Sequence, residues 1–248
     1  YGQRKHEWKC TLFNNYTMES NEQLKHLQVK VIDGKVAKKY TITNHYMKTF
    51  PNAKVCFGVF YNNVLNGVIT IGYSTSTKEK VKKIIPNIKD GEFIEMQRMN
   101  LSDKLGFNSE SYVLGKIYEL FKKNTKVKVL ITHAGGCKND CGIVYQASSW
   151  LYFGKSKCDD FYLTKKGEYK NIIAPMRYGR VPKGIKGGQN IGEYLFGEGE
   201  IVNSYRYLYL YPIQKGIRKY LLKKKLEYPK DSSIFRRNQK WIKNGDNQ

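Results

Sequence analysis

The chain has 248 residues, 40% of them hydrophobic, enough for one large domain with a sizeable core. Lys and Arg number 44 against 21 Asp and Glu, a formal net charge of +23, which argues for a polyanion partner over a membrane surface, since no basic amphipathic helix is obvious. Five cysteines make no regular disulfide framework, and no apolar run has signal-peptide or membrane-spanning length, so a reduced, intracellular protein is expected. Aromatic residues reach 14%, mostly Tyr, and Tyr among Lys and Arg suits base stacking beside phosphate neutralisation. The blander source of the same composition is a codon bias towards Lys, Asn and Tyr.

In chain order, the first forty residues are mixed, with a strand predicted at His26 to Val31 and a turn at Asp33-Gly34. Val55–Phe60 and Val68–Gly72 read as two strands of a hairpin, joined around Asn62-Asn63 and Asn66-Gly67. Lys78 to Lys83 is a charged loop or short helix. The centre of the chain runs from Phe93 to Phe153. There a strand from Phe93 to Met99 carries Arg98 near its end, and Asn108-Ser-Glu-Ser111 opens a helix. Val113, Leu114, Ile117, Leu120 and Phe121 recur on that helix at helical spacing. A buried strand, Val127 to Thr132, leads into a glycine- and cysteine-rich loop, His133 to Gly142. Tyr145 to Ser148 sits on a second helix, and Trp150 to Phe153 follows as a strand. Asp159 to Leu163 reads as a further strand, Arg177 to Arg180 and Lys183 to Gly188 as basic loops, Tyr205 to Tyr211 as a strand, and Lys215 to Leu226 as a basic helix.

This order predicts an α/β (α+β) fold: a mixed, mostly antiparallel sheet flanked by helices. The expected division is a catalytic core over residues 1–164 and a basic C-terminal extension over 165–248 that completes the fold and contacts DNA. Strand C-termini and helix N-termini are where such folds place sites and bind anions. The order resembles the acetyltransferase superfold of the histone-type N-acetyltransferases, which hold the pyrophosphate of coenzyme A at the helix after the fourth strand. The usual glycine-rich acceptor is absent, and Asn108, Ser109 and Glu110 occupy its place as candidate cofactor contacts.

Residue by residue, each candidate has a functional and a structural reading. His45 suits a general base, a metal ligand or a capping residue. Arg98 suits a phosphate or carboxylate clamp, or an ion pair with Glu95 or Glu110. Ser109 and Ser111 suit caps or substrate contacts. Tyr145 suits a proton donor, a stacking platform or a core residue on Trp150. His133, Cys137 and Cys141 recur every four residues and offer soft ligands for zinc or iron, although the intervening glycines break a helix and no clean second pair completes a four-ligand site. Cys137 beside His133 also reads as a nucleophile. Arg177, Arg180, Lys183, Lys186, Arg236 and Arg237 are the candidate DNA contacts.

A set of short motifs is more specific than the fold. Asn44-His-Tyr46, Phe57-Gly-Val59 with Gly67 to Gly72, Arg98-Met99, Asn108 to Ser111, Gly142 to Ser148 and Tyr228-Pro-Lys230 come in the order of the Mom family of phage DNA-modification enzymes, which the chain resembles from about Asn44 to Lys230. The resemblance implies an acetyltransferase-like fold and conversion of adenine N6 in duplex DNA to N6-carbamoylmethyl (acetamido) adenine, shielding phage DNA from host restriction in the host cytoplasm. It places the functional positions on His45, Arg98, Ser111 and Tyr145. One position departs: Gly135 stands where many members carry an Asp, leaving Asp140, His133 or a cysteine to supply that function. The implied product carries a methylene on N6, so simple acetyl transfer from acetyl-CoA does not make it. An alkylation, a rearrangement or a glycine-derived donor is required. The alternatives are an N-acetyltransferase acting on a protein or small amine, and a non-catalytic DNA-binding protein.

Overall fold

A computed structural model describes residues 24–45, 49–73, 75–135, 141–158, 160–177 and 179–229. The chain divides into two compact units that interleave in sequence. The first comprises residues 1–132, 147–151 and 209–224, and the second 133–146, 152–208 and 225–248. A seven-stranded sheet has the order β1-β2-β3-β4-β5-β10-β6, with β1 at Leu27–Val31, β2 at Ala53–Tyr61, β3 at Val64–Gly72, β4 at Phe93–Leu101, β5 at Val129–Gly135, β6 at Leu151–Cys158 and β10 at Ser204–Pro212. A three-stranded sheet has the order β8-β7-β9, from Tyr169–Asn171, Phe161–Thr164 and Gly199–Ile201. This is the mixed α/β architecture expected from the sequence.

In the first unit β1 to β4 pair antiparallel, and β4 pairs parallel with β5. The β2–β3 hairpin turns on Asn62 and Asn63, both at positive φ (48° and 62°). Asparagine tolerates that conformation, which matches the twist of the flanking strands. Asn66 and Gly67 lie inside β3, not in the turn.

Strand periodicity gives the sheet two distinct faces. On one, the Phe57 ring packs 6.1 Å from Phe121 of α3, the helix Ser109–Asn124. Val113, Leu114, Ile117 and Phe121 of α3 are all buried, the stripe that its spacing predicts. On the other face lies α1, Gly34–Asn44, whose Ala37 packs with Cys56 of β2 and Val68 of β3. The α1 helix stands where the sequence reads as a turn and mixed chain. Asp33 accepts a hydrogen bond from the Lys35 backbone N–H (2.7 Å), so the Asp-Gly pair starts a helix and does not bend the chain back. Helix α2, Thr75–Ile84, lies on the α1 face too, where Thr77 Oγ1 donates to Glu95 Oε2 (2.7 Å).

Trp150 is fully buried and donates its indole N–H to the Tyr118 hydroxyl. Tyr118 stacks on Tyr211 with ring centroids 3.7 Å apart. Helix α7, Lys215–Leu222, ends four residues before the predicted Leu226. On α3, Gly115 has ordinary helical φ and open space where a Cβ would go. Gly115→Ala is therefore expected to raise stability by about 0.5–1 kcal/mol, read as a higher denaturation midpoint.

The second unit has its own core of Tyr162, Ile172 and Ile191, against which Ile173, Val181, Ile185, Leu195, Phe196 and Ile201 pack. Helix α4 is Ile143–Ala147, α5 is Ile173–Arg177 and α6 is Gly188–Phe196. Between α5 and α6, residues 179–187 are loop, as the basic stretches Arg177 to Arg180 and Lys183 to Gly188 read in the sequence. Gly192 is required because a Cβ there would sit 2.0 Å from the Tyr162 ring. Tyr162 donates its hydroxyl to the Gly197 carbonyl (2.9 Å), and burial pushes its phenol pKa up. Arg206 pairs with Asp160. Among the described residues, no helix is long and apolar enough to cross a membrane.

Candidate functional site

In the first unit the site is built around a break in β4. Thr70 pairs with Arg98 and Ile71 with Met96, so Gln97 is an extra residue, a β-bulge. A bulge bends the strand and re-aims its side chains. The parallel ladder with β5 ends at the same place, its last pair being Met96 with Thr132. There the Thr132 hydroxyl donates to the Met96 carbonyl (3.0 Å).

Arg98 follows the bulge, half-buried, with Nη1 donating to the Gln97 carbonyl (2.8 Å). Its row of the sheet is Cys56, Thr70, Arg98, and the next is Gly58, Val68, Asn100, so these side chains share the α1 face. His45 is the C-cap of α1, its backbone N–H donating to the Thr41 carbonyl (2.8 Å), and it is buried at 8% exposure. The structure thus assigns His45 and Arg98 to elements on one face of the sheet. Tyr46 and Lys48 lie outside the described residues.

The start of α3 belongs to the opposite face. Asn108 is its N-cap in the left-handed region (φ 62°) and makes no side-chain cap bond. Ser109 is fully buried and donates its hydroxyl to the Gly106 carbonyl (3.0 Å), fastening the entry to the helix. Ser111 is partly exposed, and Ser148 Oγ donates to its Oγ (3.2 Å). This bond joins two motifs 37 residues apart in sequence. A pyrophosphate would find backbone N–H groups at this turn, but the Ser109 hydroxyl is directed at a carbonyl and Glu110 adds a like charge. These side chains fit coenzyme A poorly.

In the second unit, Cys141 is buried at 2% exposure and Tyr145 is half-buried on α4. Gln146 Nε2 reaches the Cys141 carbonyl and the Pro229 carbonyl, both at 3.4 Å. That amide brings the Gly142–Ser148 motif to the Tyr228-Pro229 motif. Burial, and secondly the Cys141 sulfur, raise the Tyr152 phenol pKa. His133 is half-buried in β5 and Cys137 lies outside the described residues. Among the described residues no three His, Cys, Asp or Glu side chains gather as a metal site.

Gly135 has φ 118°, and a Cβ on it would lie 2.0 Å from the Tyr205 carbonyl oxygen. The absent Asp is thus matched by a backbone that leaves it no room. Asp140 lies outside the described residues.

The basic loop of the second unit is anchored. Val181 and Ile185 pack on the Tyr162 core, while Arg180, Lys183 and Lys186 are exposed. Apolar anchors thus hold an outward row of cations. The side chain of Arg177, and Arg236, Arg237 and Trp241, lie outside the described residues.

The chain matches the Mom protein family over residues 26–230. It belongs to that family. No curated protein sequence matches it. Among solved structures it is similar to a spermidine/spermine N-acetyltransferase from Vibrio cholerae, with 7% identity over 79% of this chain and 98% of that one and a TM-score of 0.46. It is also similar to the ribosomal-protein-S18-alanine N-acetyltransferase of Escherichia coli, with 7% identity over 76% and 94% and a TM-score of 0.44. A third is a GNAT-family acetyltransferase from Elizabethkingia anophelis solved with acetyl-CoA bound, with 13% identity over 75% and 98% and a TM-score of 0.39.

The resemblance read from short motifs is thereby the family itself, and the match starts earlier than those motifs, within the first strand region. Gln97 and Asn100, the amides flanking Arg98, drew no notice in the sequence. Their signal is two polar amides three positions apart in the strand Phe93–Leu101, which also carries Glu95 and Arg98.

Proposed function

We propose that this Mom-family protein is a transferase that modifies the N6 position of adenine in duplex DNA, with carbamoylmethyl as the added group. The observation that carries the reading is the family match over residues 26–230. The net charge of +23 and the anchored row Arg180, Lys183 and Lys186 support a polyanionic substrate.

Adenine N6 is a poor nucleophile because its lone pair is delocalised into the ring. Inside a duplex it is also stacked, so the base must leave the helix to reach a site. In this reading the basic loop holds phosphates and Arg98 stabilises negative charge developing on the donor. His45 takes the proton that N6 loses. The family resemblance adds Ser111 and Tyr145 as functional positions, Ser111 from the opposite face of the sheet and Tyr145 from the second unit. The donor is a glycine-derived or alkylating species, because an acyl thioester such as acetyl-CoA leaves a carbonyl, not a methylene, on N6.

Binding to duplex DNA is expected to weaken steeply with salt. If about six phosphates are neutralised, affinity falls by roughly 10³-fold between 50 and 200 mM salt. A fluorescence-anisotropy titration of a labelled duplex measures this. Affinity that stays flat over that range removes the nucleic-acid reading of the charge. Acetylation of polyamines or peptides by the purified protein, with DNA left unmodified, would replace the proposal by an N-acetyltransferase.

A further inference from the structure

Two basic helices of the first unit, α2 and α7, are remote in sequence and held together at one point. The Ile84 carbonyl at the end of α2 accepts hydrogen bonds from the Tyr220 hydroxyl and from Lys224 Nζ, both at 3.1 Å. Lys224 Nζ also donates to the Tyr220 hydroxyl and lies 4.5 Å from the centroid of its ring. The last carbonyls of a helix lack partners within it, so a tyrosine and a lysine from the α7 segment close the end of α2. Lys83, next to Ile84, is exposed at this junction, and so are Arg218, Lys219 and Lys223.

The cations of α7 follow a line. Lys215, Lys219 and Lys223 recur every four residues, the last at the C-cap still in the right-handed helical region (φ −73°). They therefore stand in one row, about 6 Å apart along the axis, and all three are exposed. No acid lies on α7. Like charges at this spacing repel and destabilise a helix. The α3 helix shows the usual remedy, with Lys116 paired to Glu119 (3.6 Å). On the α2 side, Asp90 takes Lys78 (2.6 Å) and Lys82 (3.3 Å), and Glu79 is the single acid of the helix itself. Among the described residues no ion pair forms on Lys83, Lys215, Lys219 or Lys223. The row is thus a cost to the fold that no neighbouring acid offsets.

We propose that this row, with Arg218 and Lys83 beside it, is a docking surface for the sugar-phosphate backbone of duplex DNA. It rests on the substrate proposed above and is separate from the loop of Arg180, Lys183 and Lys186 in the second unit. A line of cations fits a line of anions, and release of counterions from the phosphates drives the binding. A bilayer surface would require an outward apolar face, whereas Leu221 is buried and Ile217 half-buried, leaving Leu222 exposed among the cations. Backbone contacts carry no base information, so this surface positions the duplex and does not choose the adenine.

The test titrates the full chain into two labelled duplexes of unrelated sequence over a salt series. Lys215→Gln, Lys219→Gln and Lys223→Gln, made together, are expected to lower the slope of log affinity against log salt by about two to three. Affinity at about 100 mM salt is expected to fall roughly 10- to 100-fold, equally on both sequences. The melting temperature should hold or rise, because a like-charge row is removed. Lys215→Arg, Lys219→Arg and Lys223→Arg keep the charge and are expected to bind as wild type does. Should the glutamine triple not fold, the single substitutions stand in, each lowering the slope by about one. Lys116→Gln, Lys122→Gln and Lys123→Gln on α3, which packs on the other face of the sheet from α2, remove the same charge and are expected to lower the slope by less than about one. An unchanged slope in the α7 variant overturns the surface. An equal fall in the α3 variant also overturns it, by making net charge the cause. Wild type that binds phosphatidylserine vesicles and not duplex DNA overturns it in favour of a lipid surface. If wild type binds DNA and the DNA of expressing cells carries modified adenine while the α7 variant binds normally, only this surface falls; if wild type binds no DNA, the proposed function falls with it.

Discussion

Arg98→Ala is expected to lower the yield of N6-modified deoxyadenosine by about 10²–10³-fold, the usual cost of removing one donor that stabilises developing charge. The guanidinium follows the β4 bulge on the face shared with α1 and His45, half-buried, with Nη1 on the Gln97 carbonyl. A site residue of this kind costs rate and not stability, so the denaturation midpoint should move by less than about 1 kcal/mol in equivalent free energy. Arg98→Lys should recover only part of the yield, because an ammonium lacks the planar fork. Nucleoside yield per folded protein, with a thermal melt of each variant, reads both quantities. A yield that falls only in step with the folded fraction would make Arg98 a clamp on the bulge and nothing more.

Gly135→Asp, which installs the residue that the family resemblance implies there, is expected to destabilise the fold by about 2–4 kcal/mol and to add no activity. Two costs combine. At φ 118° an L side chain is strained, and its Cβ would overlap the Tyr205 carbonyl oxygen of β10. Relieving the overlap requires moving backbone, since the obstacle is a main-chain atom. Equilibrium urea unfolding measures the loss against wild type, with Gly115→Ala as the control that has open space. An unchanged midpoint for Gly135→Asp would mean that the strand adjusts freely and that the glycine is a replacement without structural cause.

The sequence legibly carried the parts of the fold that rest on periodicity. The strands β1 to β5 and the stripe of α3 follow from alternating or helically spaced apolar residues that bury one face. The α1 helix was hidden because only Ala37 and Thr41 are buried on it and its start is an Asp-Gly pair that otherwise signals a turn. The α6 helix was hidden for a different reason. Its glycines mimic a loop, whereas Gly192 is glycine because Tyr162 lies against it. The position of β10 between β5 and β6 depends on pairing across distant segments, which local pattern does not encode.

The candidate residues His45, Arg98, Ser111 and Tyr145 come from the ordered motifs of the family resemblance. What the motifs did not show was the Ser148–Ser111 bond, the Gln146 bridge to Pro229, and the bulge that brings Gln97 beside Arg98. Each depends on register or on contacts remote in sequence. The cysteine spacing behind a metal site reads differently once the strand extends to Gly135, because His133 then sits in β5 and not in a loop or helix with the cysteines.

The central claim is that this protein changes adenine. DNA from cells expressing the full chain, digested to nucleosides and resolved by mass spectrometry, tests it most directly, with His45→Ala and Tyr145→Phe expressed to the same level. The account predicts a new deoxyadenosine species heavier by one carbamoylmethyl group in the wild-type sample and its loss in the variants. Unmodified deoxyadenosine from well-expressed, folded wild-type protein would contradict it.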